Sequence, residues 1–375
     1  MKKILFLAAV TILAAVSCNK IEEEGANTFE PSNVPSFVAL VDGADTKTVI
    51  DGMKSYWNGK EEIWVLNGES NGDWKKKYVT EATKSEIATF NEENNEVSLS
   101  GDDYLAIYPA EPAGSVNWKG NIQSAATYFW LDPEQTIVEG SYDPQGHIAI
   151  AYAEADNENL YFKNVNSLVK FTVGSDNVTE VCFYGNNSEK IAGNFDVNYN
   201  GGNPTVTNVT ETYAKVTGSF KKGKTYYISV LPCAFSKGFG VETYAYAAKG
   251  TKKNSKEYTL ERNRILDLGE LSWTPDEDAT FYFELDTDNS KKWFSPGYLY
   301  VWTDGNNKQE PLGVWPGKQM TKSGNTYSVK IPKEYIGKKL NYIVNNGGDW
   351  KSAEGKSMNP VKASQTIKGS TVGIN

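Results

Sequence analysis

The sequence predicts an all-β chain: two tandem β-sandwiches followed by a smaller one. Three observations carry this. From about Phe37 to Leu271 the apolar residues come in short runs between turns of Gly, Asn and Asp, the mark of strands linked by tight connections. Almost no segment in that range spaces its apolar residues at helical intervals. The range is also far longer than the roughly 100 residues that one sandwich uses, so two are expected.

At the N-terminus, Met1-Lys-Lys precedes the apolar run Ile4 to Val16, which is too short to span a bilayer and suits a secretion signal over 1-17. Ala15-Val16-Ser17-Cys18 resembles a lipobox. The resemblance implies that Cys18 is acylated and becomes the anchor, since several acyl chains hold a protein firmly on a membrane. Asn19-Lys-Ile-Glu-Glu-Glu24, within a tag and linker over 18-32, is similar to the acidic signal that sends lipoproteins of the Bacteroidota to the outer face of the outer membrane.

Strand-like runs then follow in order: Ser36 to Val41, Glu62 to Leu66, Tyr104 to Tyr108, His147 to Tyr152, Leu168 to Val173, Glu180 to Tyr184 and Thr225 to Val230. The polar stretch Asp156-Asn-Glu-Asn159 sets the expected seam between sandwich 1 (33-158) and sandwich 2 (159-272). A proline and three acids in Trp273-Thr-Pro-Asp-Glu-Asp278 mark a linker (273-278) before the last module (279-375).

The middle of the chain resembles the fimbrillin-like proteins of Bacteroidota. The likeness rests on Thr46-Lys-Thr-Val, Tyr56-Trp57 and Glu62-Ile-Trp-Val65, on Asp103 to Ala110, on Gln135 to Asp143, on Leu160 to Phe171, on Gly193-Asn-Phe195 and on Leu266 to Glu270. It implies two sandwiches in tandem. Polymerising members are cleaved after an Arg near the N-terminus so that a strand can pass between subunits. Here Arg262 and Arg264 are the only arginines beside 36 lysines, so that route to a polymer is closed.

The last module is built around Gly297 to Gly317. In a strand, side chains alternate faces, so Tyr298, Tyr300 and Trp302 share one side while Leu299 and Val301 take the other. Trp315, ahead of Pro316-Gly317, can fold back beside the three rings. An aromatic triplet in a strand is most often core. The turn Asn345-Asn346-Gly-Gly-Asp-Trp350 shifts the reading, because it brings amides and a further Trp to the end of a strand, the polar complement a sugar on aromatic rings needs.

Residues 279-375 resemble a family 26 starch-binding module. The features are Thr280-Phe-Tyr-Phe-Glu284, Trp293, Gly297-Tyr-Leu-Tyr-Val-Trp302, Val314-Trp-Pro-Gly317 with Met320, Gly324-Asn-Thr-Tyr327 and Tyr342 to Gly347. The resemblance implies an α-1,4-glucan ligand (starch, glycogen or maltooligosaccharide) on Tyr300, Trp302 and Trp315, with Tyr298, Asn345 and Asn346 beside them and Trp350 as a flap. The loop from Thr303 to Leu312 is long for the family.

Other chemistry finds little support. The formal charge of -9 argues against nucleic acid. Gly68-Glu-Ser70-Asn-Gly72 has the G-x-S-x-G pattern, but the polar run after it does not open a helix. The single His147 falls on a core strand. Asp286 to Ser290 starts like a calcium loop without the required Gly and Glu. Asp102 and Asp103 are adjacent and would point to opposite faces. Cys182 and Cys233 read as small buried hydrophobes sooner than a disulfide. The sequence therefore predicts a non-catalytic, cofactor-free lipoprotein of the outer-membrane surface that captures α-glucan beside surface amylases and glycan transporters. The alternative is a fimbrial or adhesin subunit whose module binds other glycans.

Overall fold

The computed structural model describes residues 37–41, 49–51, 54–67, 75–93, 103–110, 118–119, 125–154, 159–199, 202–285, 296–348 and 351–369. Among them the chain is all β, with two short 3-10 turns, Pro144–Gly146 and Lys333–Tyr335, and no α-helix. Cys18, the signal, the acidic tag, Ser70, the Asp286 loop, Trp293 and Trp350 lie outside the described residues.

The first part is a closed ring of seven strands rather than a sandwich. Phe37–Val41 closes it, parallel to Asn159–Asn164 on one side and antiparallel to Ile87–Glu92 on the other. Because side chains alternate, Tyr104, Ala106 and Tyr108 of Asp103–Tyr108 point into the ring, where Trp57, Phe90 and Phe162 fill the centre. Leu105 and Ile107 point the other way and join Ile148 and Ile150 in the core of the middle part. With both faces covered, the strand reads as nearly continuous apolar sequence.

The expected seam at 158/159 therefore does not coincide with a division between sheets. Asn159–Asn164 completes the ring, while Ala125–Leu131 pairs with Gly193–Tyr199 and Glu134–Thr136 pairs with Tyr213–Thr217 in the middle part. A polar run marks a surface loop, and such a loop can lie inside a topology as readily as between domains. The middle part packs sheets of five, four and three strands on one core that includes Phe171, Phe183, Phe195 and Ile228.

The last module is two four-stranded sheets face to face. One contains Ala279–Leu285 and Thr326–Ile331, the other Tyr298–Trp302 and Leu340–Asn345. Phe281, Phe283, Leu299, Val301, Tyr342 and Val344 fill the space between them. The expected linker 273-278 is pinned rather than free. Trp273 touches the cores on both sides and its indole N–H donates to the Ala248 carbonyl at 3.2 Å. The Asp276 carboxylate accepts from the Thr251 backbone N–H at 2.9 Å and from the Thr251 hydroxyl at 2.6 Å. Ala248, at the tip of the hairpin Phe239–Ala245 and Ala248–Asn254, is buried in the module's core.

Candidate functional site

The strand Tyr298–Trp302 presents two unlike faces, as its sequence alternation demands. Leu299 and Val301 are fully buried in the module core. On the opposite face the rings are not an open row. The chain from Thr303 to Gly317 folds back over this face, and Trp315 meets Tyr300 edge to face, with centroids 5.6 Å apart. Tyr300 in turn stacks on Trp302 at 5.1 Å.

Tyr300 is thereby only 8% exposed, against 40% for Trp315, while Trp302 and Tyr298 are half-buried. The expectation of an outward row is corrected at Tyr300. Tyr300 is the wedge between two more accessible indoles, because the returning chain covers the centre of the strand and leaves its rim.

That return is set by backbone as much as by side chains. Gly317 has φ +85°, and a Cβ there would come within 2.1 Å of the Leu299 carbonyl oxygen, so only glycine lets the segment carrying Trp315 lie this close. Asn345 fastens it. Its side-chain N–H donates to the Pro316 carbonyl at 2.9 Å, and its Oδ1 accepts from Gly347 N–H at 2.8 Å. Asn345 is fully buried, so it holds Trp315 in place instead of meeting a ligand. Asn346 is half-buried, its Oδ1 accepting from Gly348 N–H at 2.9 Å.

Three charged residues stand among the rings, of which sequence reasoning missed Lys308 and Glu310. Lys308 Nζ lies 5.1 Å from the Tyr300 centroid and 5.8 Å from that of Trp302, and Lys351 Nζ lies 5.4 Å from that of Trp315, within the range of cation–π attraction. Lys308 donates to Glu310 Oε1 at 2.7 Å and to the Tyr300 hydroxyl, which itself donates to the same Glu310 oxygen. The hydrogen bond from Lys308 holds the Glu310 carboxyl below its ordinary range. The bond to Glu310 raises Lys308, so both stay ionised. Burial, then the bond to Glu310, raises the Tyr300 phenol. The only available signal was Lys308-Gln-Glu310 in a loop already noted as long.

The other candidates for chemistry stand apart from these rings. His147 is buried against Tyr142, with centroids 4.5 Å apart. Cys182 and Cys233 are separate free thiols, which burial pushes up to about 12 and about 11, far from the range of a reactive thiolate. No group of side chains suited to a metal ion occurs among the described residues.

No known family profile and no curated protein matches the chain. Among solved structures it is similar to a candidate cell adhesion protein of Bacteroides ovatus, at 15% identity over 65% of this chain and 96% of that one, with TM-score 0.41. It is also similar to the tip fimbrial protein Mfa3 of Porphyromonas gingivalis with C-terminal truncation, at 11% identity over 65% and 97%, with TM-score 0.32. A third is a candidate polysaccharide binding protein of Bacteroides thetaiotaomicron, at 8% identity over 64% and 94%, with TM-score 0.32.

Proposed function

We propose that this chain is a non-catalytic glycan-binding protein of the cell surface, anchored through Cys18, whose C-terminal module captures α-1,4-glucan. The observation that carries the reading is the ring cluster of the last module. Trp315 is 40% exposed although it sits on a packed aromatic neighbour; Lys351 stands over it, and Lys308 and Glu310 stand at Tyr300, all able to bond hydroxyls. Sugars stack their C–H faces on such rings while donors and acceptors take their hydroxyls. A curved α-linked chain suits two accessible indoles set around the Tyr300 wedge.

A second reading, a surface adhesin or fimbrial subunit, is favoured by one feature of the ring. Ile87 and Tyr161 are 52% and 49% exposed, and both stand in register with Leu40, on either side of it. Two exposed apolar side chains so placed suit a contact surface. Under it the C-terminal module binds other glycans.

The test is calorimetric titration of the full chain with maltoheptaose, and with cellohexaose as the flat β-linked control. An affinity between about two hundred and about seven micromolar is expected for one such site, about −5 to −7 kcal/mol. Trp315→Ala should weaken it roughly five to thirty fold, the loss of about 1 to 2 kcal/mol for one stacked ring. A folded Trp315→Ala that binds as the parent does, or a parent that prefers cellohexaose, ends the reading.

A further inference from the structure

We infer that Lys308 and Glu310 form a hydroxyl clamp beside the aromatic rings, and that it selects neutral glycans with a free vicinal diol. The inference rests on the glycan-binding reading above. It starts from hydrogen-bond capacity. A lysine ammonium has three protons to donate, and two of them go to Glu310 Oε1 and the Tyr300 hydroxyl. One remains. Glu310 uses Oε1 for both Lys308 and Tyr300, and its Oε2 accepts from nothing among the described residues. A donor and an acceptor thus stand next to each other on the rim that carries Trp302, with Lys308 and Glu310 side chains 47% and 26% exposed.

The pair is held for this use. Thr303 N–H donates to the Gln309 carbonyl at 3.0 Å and Gly313 N–H to the Glu310 carbonyl at 2.9 Å. Gln309 N–H donates to the Thr303 hydroxyl at 2.9 Å, and the Tyr335 hydroxyl to Gln309 Oε1 at 3.1 Å. These bonds fix the loop on both sides of Lys308 and Glu310. Much of the rotamer entropy that a mobile lysine would lose on binding is already spent, and hydrogen bonds to charged partners are about twice as strong as neutral ones.

Charge decides the ligand class. Lys308 is compensated by Glu310 at 2.7 Å, so the clamp offers little net attraction to uronic acids or sulfated sugars. One adjacent donor and one adjacent acceptor fit two neighbouring hydroxyls, one accepting and the other donating. A neutral pyranose with its 2- and 3-hydroxyls free meets that pattern. One whose diol is alkylated cannot donate to Glu310 and crowds Lys308.

The experiment titrates the full chain with β-cyclodextrin and with its 2,3-di-O-methyl derivative, which keeps the α-linked rings and 6-hydroxyls but masks the diol. The parent protein should prefer the unmodified ring at least fivefold. Lys308→Met and Glu310→Gln should each lose most of that preference by weakening only the unmodified ring, with melting temperatures confirming that both are folded. Equal binding of the two cyclodextrins by the parent overturns the clamp, as does a preference that survives in both variants. Trp315→Ala separates this failure from a wider one. If it still weakens both cyclodextrins, the ring site stands without the clamp. If it weakens neither, the glycan reading falls and the clamp with it.

Discussion

Two clusters of rings in this chain have similar centroid spacings and opposite surroundings. In the seven-stranded ring, Trp57 meets Phe90, Tyr108 and Phe162 at centroid distances of 5.0, 5.3 and 5.8 Å. In the last module, Tyr300 meets Trp302 and Trp315 at 5.1 and 5.6 Å. Trp57 is 2% exposed and Trp315 is 40%. Around Trp57 stand Ile63, Val65, Ala151 and Leu160, whereas Lys308, Glu310 and Lys351 stand around the others. Ring contact itself is thus no sign of binding, because edge-to-face packing is how aromatics fill any tight space. Accessible indole with charged groups at its rim is what separates a platform from a core.

The sharpest way to break the contrast is to truncate both tryptophans. Trp57→Ala should cost about 3 to 5 kcal/mol of stability, as the removal of large buried side chains does, and leave the maltoheptaose affinity of folded molecules unchanged. Trp315→Ala should do the reverse, costing under about 1 kcal/mol of stability because much of the ring is already in water. Urea unfolding of the two variants beside the titration checks both. A loss of several kcal/mol at Trp315 would make the module's cluster a core after all.

Acid should separate a buried histidine elsewhere in the core from the module's charged rim by a smaller margin. His147 is buried, neither ring nitrogen has a hydrogen-bond partner among the described residues, and burial lowers its pKa to about 4, with the nearby Asn164 amide opposing the shift in part. Its folded pKa lies below the ordinary value of 6.5, so the unfolded chain takes up the proton first. Stability from the neutral ring is whole above 6.5 and is lost as pH falls from there to about 4. The loss is on the order of 3 kcal/mol at about 1.4 kcal/mol per pH unit. Glu310 is held ionised below its ordinary range, so glycan affinity per folded molecule should stay flat over the upper part of that window. His147→Gln should flatten the stability curve; an unchanged slope in that variant would mean that other groups carry the acid sensitivity.

Period-two alternation was legible from the sequence, and it placed Leu299 and Val301 inward and the three rings on the opposite face, where the structure then covers Tyr300. Domain seams were less legible. Asn159 to Asn164 follows a polar turn yet completes the first ring, because strand pairing at long separation leaves no local trace. The site was half legible. The aromatic row announced itself, but the return of Thr303 to Gly317 over it depends on a contact between Gly317 and Leu299 that no local pattern encodes. The burial of Tyr300 goes with that return, Asn345 is buried where it fastens Pro316, and Lys308 and Glu310 reach the rim through the loop bonds of Thr303, Gln309 and Gly313.

The smallest effect tests whether the platform's polar groups are organised by its own wedge. Tyr300→Phe keeps the ring that packs between Trp302 and Trp315 but deletes the hydroxyl that Lys308 and Glu310 share. Phenylalanine fills nearly the same volume, so stability should fall by no more than about 1.5 kcal/mol, the net worth of an ordinary hydrogen bond. Lys308 and Glu310 still face each other at 2.7 Å, but without the phenol their positions are less fixed, and the entropy of holding them returns to the binding step. Maltoheptaose affinity should therefore drop by about two to five fold, roughly 0.5 to 1 kcal/mol, less than in Trp315→Ala. Titration and thermal melting of this one variant settle which kind of cluster Tyr300 belongs to. If its melting point collapses as that of Trp57→Ala does, Tyr300 is core with a polar decoration. If stability holds and binding does not change at all, the hydroxyl network is independent of the sugar and only the two indoles form the platform.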